Sequence, residues 1–190
     1  MKTSDQTMRA DARRNRDALL AAAAELFAEA GAAVPLEAVA KRAGVGIGTL
    51  YRHFPTREAL VVAAYQSEVD HLCKAADELL AERAPDEALE AWMERFVGYI
   101  ATKRGMSEVL GQVVADGSEV PTQGRAQIVG AVGRLLEAGQ AAGTIRSDLD
   151  ADDVMRAMSA IWTMSDTPGW VQQAHRVRRL IMDGLRATGG

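Results

Sequence analysis

The densest group of side chains able to do chemistry follows Ala40, where Thr49, Tyr51, Arg52, His53 and Arg57 come after the alternating glycines Gly44, Gly46 and Gly48. Ala40 stands four residues before Gly44, and Leu50 stands six after it. This spacing suits a helix-turn-helix: a small residue where two helices cross, a glycine free to take positive φ in the turn, and an apolar anchor for the second helix. With Leu50 facing inward, Ile47, Gly48, Thr49 and Arg52 lie near the exposed face of the second helix. In such motifs the N-terminal end of that helix enters the major groove of DNA. The same spacing also fits a plain helical hairpin with a glycine turn.

Other chemistries find little support. His53, His71 and His175 are scattered, and no cysteine or carboxylate completes a metal-ligand spacing. No Ser/His/Asp or Cys/His arrangement points to nucleophilic catalysis, and no G-x-x-x-x-G-K-[ST] loop is present. The sequence therefore predicts no enzyme activity, no cofactor and no metal. Cys73 is the single cysteine, so an internal disulfide is impossible; redox sensing by its thiol remains an open alternative without a clear electropositive pocket around it. No apolar run reaches the roughly 18 residues a membrane span needs, and the polar start lacks a secretory apolar stretch. A cytoplasmic protein with no membrane partner is expected.

The net charge of -4 conceals an imbalance. Residues 1–57 carry nine Lys/Arg against six Asp/Glu, whereas the rest carry thirteen against twenty. A basic part beside an acidic part suggests that the first meets a polyanion and the second does something else.

The elements that must position these residues read as helices. Aromatics are only 5% of the chain and alanine abounds, which disfavours strands. Leu19, Ala23, Leu26, Phe27 and Ala30 share one face of a helix over 12–30, and Gly31 supplies a stop. Leu36, Val39, Ala40 and Ala43 predict a short second helix, and 47–54 a third ended by Pro55. Longer helices follow over 57–83, closed by Pro85, and from a cap at Asp86. A short segment spans 106–115, a loop runs through Asp116 to Pro121, and another helix spans 123–142. After a linker over 143–150, helices are expected over 152–166 and 170–186. The organisation predicted is an N-terminal DNA-binding domain over 1–56 and a C-terminal domain over 57–190, with 57–83 as the connecting helix.

The run AGVGIGTLYRHFPTREAL at 43–60, with LLAAAAELFAEAG before it, resembles the DNA-binding domain of the TetR family of bacterial transcriptional regulators. The resemblance covers roughly residues 12–64 and implies an all-α fold: three N-terminal helices, a connecting helix, and a C-terminal helical ligand-binding and dimerisation domain. It implies phosphate contacts from Tyr51, His53 and Arg57, and places Gly46, Ile47, Gly48 and Thr49 where the family approaches base edges. Thr49 could bond a base or phosphate, Ile47 could touch a thymine methyl, and Gly48 would let the backbone come close. Arg13, Arg14 and Arg16 lie where such regulators often add backbone or minor-groove contacts, with solvated helix-starting residues as the alternative for Arg13 and Arg14. The chain has Pro35 where the family commonly has Thr, Gly46 where it often has Ser, and Arg57 where it usually has Lys.

In the C-terminal part, Val154, Met158, Ile161 and Trp162 form one apolar stripe and Val177, Leu180, Ile181 and Leu185 another. The resemblance implies a homodimer through the last two helices, so Ile161, Val177, Leu180, Ile181 and Leu185 are the interface candidates; the alternative is that they face their own core. Trp92, Met93, Phe96, Met106, Leu110, Met155, Met158 and Trp162 are candidates to line an adaptable pocket for a small-molecule effector, although such residues are more often plain core. The function expected is a repressor released from a double-stranded, inverted-repeat DNA operator by an apolar or amphipathic ligand. Two alternatives stay open: the same DNA head without an inducer, and a helical ligand-binding protein with a vestigial head.

Overall fold

A computed structural model describes residues 2–164 and 168–187, and among them there is no strand beyond one bridging pair, Ile145 with Arg186. The helices are α1 (Lys2–Ala30), α2 (Leu36–Arg42), α3 (Ile47–His53), α4 (Arg57–Glu82), α5 (Pro85–Gly105), α6 (Ser107–Ala115), α7 (Val120–Ala141), α8 (Ala151–Ser159) and α9 (Trp170–Leu185). They group into two compact units, Met1–Glu68 with Thr102–Val120, and Val69–Ala101 with Pro121–Gly190. The divisions between them fall inside α4, near the end of α5 and at the start of α7.

In the first unit, α1, α2 and α3 pack against one another. Leu19, Ala23 and Phe27 from α1, Val39 and Ala40 from α2, and Leu50 from α3 are all buried, with Leu60, Ala64 and Tyr65 of α4. Ala30, expected on the buried face of α1, is exposed at the end of the helix, and Ala32 beyond the turn is buried. The C-terminus of α5 meets that turn: the Ala32 amide donates to the Gly105 carbonyl at 2.7 Å. A Cβ on Gly105 would lie 1.8 Å from the Phe27 carbonyl oxygen, so this approach of two backbones is open only to glycine.

In the second unit, Trp92, Leu89, Met93 and Phe96 of α5 pack inward with Leu72 and Leu79 of α4, Leu135 of α7, and Met158 of α8. The Trp92 ring is stacked on Phe96, with centroids 5.6 Å apart, and its Nε1 donates to the Leu72 carbonyl at 2.9 Å. The indole therefore buries its apolar body without stranding its one donor. The first half of the predicted linker is held against the end of α9: Arg146 N donates to Leu185 O and Ala187 N to Thr144 O, each at 3.0 Å.

Three sequence expectations change. Pro85 opens α5 instead of merely ending α4, which places Asp86 inside the first turn and not at the cap, and Pro121 is the second residue of α7 instead of part of a loop. Both sit in a first turn, where the missing N–H has no intrahelical partner to lose. The helix expected over 152–166 stops at Ser159; Asp150 and Asp153 form a reciprocal capping box at its start. Residues 160–164 continue as tight turns with i to i+3 hydrogen bonds. There Ser159 Oγ and Thr163 Oγ1 donate to the carbonyls of Met155 and Ala160, the local competition that disfavours a regular helix. Residues 165 and 166 of that expected helix lie outside the described residues.

Candidate nucleic-acid interface

The turn before α3 is built from backbone bonds that need a left-handed residue. Val45 N donates to Ala40 O at 3.0 Å and Gly44 N to Lys41 O at 3.2 Å, the paired closure of a Schellman helix end. Gly44 has φ of 70°, the value this closure requires. A Cβ there would meet no atom within 4 Å, so the constraint on Gly44 is conformational and not steric.

Beyond the turn, Leu50 is fully buried and seats α3 against α1 and α2. Phe54 is buried behind it, with the Arg16 guanidinium 5.6 Å from its ring centroid. The opposite side of α3 is open: Ile47 is 36% and Tyr51 46% exposed, Gly48 and Arg52 are exposed, and Thr49 and His53 are half-buried. An exposed isoleucine and tyrosine on one short helix stand out in a unit whose other large apolar groups are mostly inside. Neither Gly46 nor Gly48 has positive φ, and a Cβ on either would enter open space, so the fold itself does not demand glycine at these positions. The Gly46 N-cap provides no side-chain bond to α3, nor does the Pro35 N-cap to α2.

The charged residues divide into two roles. Arg52 folds back along α3, with Nε donating to the Gly48 carbonyl at 3.1 Å and a terminal nitrogen to Thr49 Oγ1 at 3.2 Å. Arg57, half-buried, points a terminal nitrogen at the Ala32 and Val34 carbonyls at 2.5 and 2.7 Å. It ties the start of α4 to the turn between α1 and α2, a structural duty the sequence did not suggest. Arg42 joins α2 to α1 through Glu25 at 2.9 Å. Thr56 accepts from the Ala59 amide at 3.1 Å, and bonds from the Glu58 backbone and the Thr56 side chain hold the Glu58 carboxyl below its ordinary range. Arg13 and Arg14 are exposed on α1, Arg14 paired with Asp11, one turn away.

The other predicted site residues are dispersed. Met106 and Leu110 are buried in the first unit; Trp92, Met93, Phe96, Met155 and Met158 are buried in the second, and Trp162 is 36% exposed. Of the interface candidates, Ile161 and Leu185 are buried, Val177 and Ile181 half-buried, and Leu180 is 72% exposed. The inward face of α9 is Ala174, Arg178, Met182 and Leu185.

Sequence reasoning missed Arg178 altogether. It is only 8% exposed and faces α5, with NH1 3.3 Å from Glu90 and Nε 2.9 Å from Glu94. Arg186 reaches the other Glu90 oxygen at 2.7 Å, and His175 Nδ1 lies 3.2 Å from Glu94. Burial opposes ionisation of Glu90, but the hydrogen bonds from Arg178 and Arg186 outweigh it and hold its carboxyl below the ordinary range. An open groove beside this cluster is lined by Leu79, Arg83, Glu87 and Arg95, and by none of the expected pocket residues. The Cys73 thiol is half-buried and pushed up by that burial, against the attraction of Arg134, which disfavours the thiolate a redox sensor would need. Among the described residues no group of His, Cys, Asp and Glu is placed to hold a metal ion, and no helix is long and apolar enough to cross a membrane.

Comparison with known proteins bears on the same two parts. Residues 19–64 match the family of bacterial regulatory proteins of TetR type, and residues 84–187 match the C-terminal domain of SbtR-like transcriptional regulators. The TetR transcriptional regulator SCO0520 of Streptomyces coelicolor is 47% identical, with a TM-score of 0.85 over 92% of this chain and 99% of that one. A TetR regulatory protein of Mycobacterium vanbaalenii is 38% identical, with a TM-score of 0.75 over 94% of this chain and 99% of that one. A transcriptional repressor of Mycobacterium tuberculosis, Rv3405c, is 39% identical over 79 residues, a stretch that covers 41% of this chain and 40% of that protein. With the helix-turn-helix of α2 and α3 and the all-helical architecture, these likenesses establish that the chain belongs to the TetR family of DNA-binding transcriptional regulators.

Proposed function

We propose that the protein is a homodimeric repressor that reads an inverted-repeat operator with α3 of each copy and releases it when a small apolar or amphipathic ligand binds. The observation that carries the DNA reading is the outward face of α3. Ile47, Tyr51 and Arg52 are exposed there while Leu50 locks the helix from behind. Tyr51, His53, Arg13 and Arg14 supply phosphate contacts, and Gly46, Ile47, Gly48 and Thr49 approach base edges. Arg57 adds a phosphate contact with the donors its two backbone carbonyls leave free.

A lone reading helix spans only a few base pairs, so dimerisation is needed to read two half-sites. Leu180, with Val177 and Ile181, presents apolar surface on α9 away from its buried face, which supports a second copy docking there. Trp92, Met93, Phe96, Met155 and Met158 are the ligand contacts in this reading; methionine repacks at low cost around a guest. A ligand acts by favouring one arrangement of the two heads over the other, and it changes DNA affinity only by its differential binding free energy.

The test is a gel shift and footprint at physiological salt on DNA flanking the protein's own gene, followed by selection of sites from random duplex DNA. A protected inverted repeat, lost more steeply with salt as more phosphates are neutralised, is the result expected. A folded dimer that selects no sequence in either assay overturns the reading. Release of the selected DNA by ligands that also raise the melting temperature distinguishes an inducer-controlled repressor from the same head without an inducer.

A further inference from the structure

Resting on the DNA reading above, we infer that Arg52 sets Thr49 as a hydrogen-bond donor, so that the base edge facing this pair is one that presents acceptors, guanine above all. A threonine hydroxyl is ambidextrous, with one proton to donate and two lone pairs to accept, and alone it selects weakly among bases. Here its oxygen accepts from the Arg52 guanidinium at 3.2 Å, and the same guanidinium is fastened to the Gly48 carbonyl at 3.1 Å. These bonds reach back one turn of α3, so the cation lies along the exposed face of the helix beside Thr49.

Two consequences follow for what the pair can meet. An oxygen that accepts from a guanidinium turns its own proton away from that cation, leaving it free to donate. The positive charge also repels the amino groups that cytosine and adenine offer in the major groove. Guanine shows two acceptors, N7 and O6, and no donor on that edge. It can take the Thr49 proton together with one of the guanidinium N–H groups not engaged on α3. Thymine offers one acceptor beside a methyl group, adenine one acceptor beside a donor, and cytosine a donor alone. Arg52 is thus a positioning residue for Thr49 as well as a cation on the reading face. Its exposure and the half-burial of Thr49 mean that neither side chain is needed to fill the core.

The experiment is selection of sites from random duplex DNA by the full chain, comparing wild type with Thr49→Val, Thr49→Ser, Arg52→Ala and the Thr49→Val/Arg52→Ala double variant, each checked by thermal melting. Wild type is expected to enrich guanine at one position in each half-site. Thr49→Ser keeps that preference. Thr49→Val and Arg52→Ala each weaken it by about tenfold at that position alone, and the double variant loses little more. The inference is overturned if Arg52→Ala leaves the preference intact, or if the position that responds to Thr49→Val is an A·T pair in the wild-type site. No enriched sequence with wild type overturns instead the DNA reading on which it rests.

Discussion

The two parts of the molecule hold their notable residues in opposite ways. On α3 the side chains nominated for function are those the fold can spare: Ile47 and Tyr51 are exposed, and Gly46 and Gly48 border open space. In the second unit most of those nominated are the ones the fold cannot spare: Trp92 and Met93 are fully buried and Phe96 nearly so. A residue free of structural duty at a shaped surface points to a partner. A residue filling a core has a sufficient reason to be there already, and a ligand role must be shown separately.

Substitution can break or sharpen this contrast. The largest effect should come from Trp92→Ala, which empties a core site and removes the indole bond to the Leu72 carbonyl; a loss of about 3–5 kcal/mol is expected in chemical denaturation. Leu50→Ala should cost about 2–5 kcal/mol, whereas Ile47→Ala, three residues away, should change stability by no more than about 0.5 kcal/mol while weakening DNA binding. If Ile47→Ala destabilises as Leu50→Ala does, the division of α3 into a structural and a reading side is wrong.

Next in size is Arg57→Ala, which removes two charge-assisted bonds to carbonyls; about 1–2 kcal/mol of stability should be lost, discounted for partial exposure, along with DNA affinity. An unchanged melting temperature with weakened DNA binding would make Arg57 a phosphate contact only.

The glycines give a smaller and more pointed comparison. Gly44→Ala should cost about 1–2 kcal/mol because an L side chain resists positive φ, although space is available. Gly48→Ala, inside α3 and at negative φ, should instead stabilise by about 0.5–1 kcal/mol. It should still impair operator binding if backbone approach at Gly48 matters. Stability and affinity moving in opposite directions at one position would separate folding from reading within α3.

The acid end of the stability profile should respond to Glu90. Its folded carboxyl is held below the ordinary value, so its contribution is present above the unfolded pKa and is lost as pH falls through the folded one. The difference in denaturation midpoint between wild type and Glu90→Gln should therefore be largest near neutrality and vanish in strong acid. A difference that persists in acid would mean that packing, and not the ion pairs with Arg178 and Arg186, is what Glu90 contributes.

The head was readable because its information is local. The Schellman turn at Gly44, the stop at Pro55 and the inward Leu50 all act within about a dozen residues, and each is written as a residue type at a spacing. Helix ends were less legible: α8 stops at Ser159 and gives way to tight turns in which Ser159 and Thr163 bond to nearby carbonyls, side-chain bonding that apolar periodicity does not reveal. The apolar stripes of α8 and α9 were visible as stripes, but their direction was not. Ile161 and Leu185 turn inward while Leu180 turns out.

From sequence alone came the helical class, the helix-turn-helix and its exposed face, the basic and acidic parts, and the resemblance to the regulator family. Tertiary structure alone decided that Arg178 is a core position paired with Glu90 across 88 residues, that Arg57 braces the turn before α2, and that Gly105 meets the backbone of α1. The physical reason is range. Periodicity and turn chemistry are properties of adjacent residues, whereas the partner that lets a charge be buried, or the backbone that forbids a Cβ, arrives from a distant part of the chain.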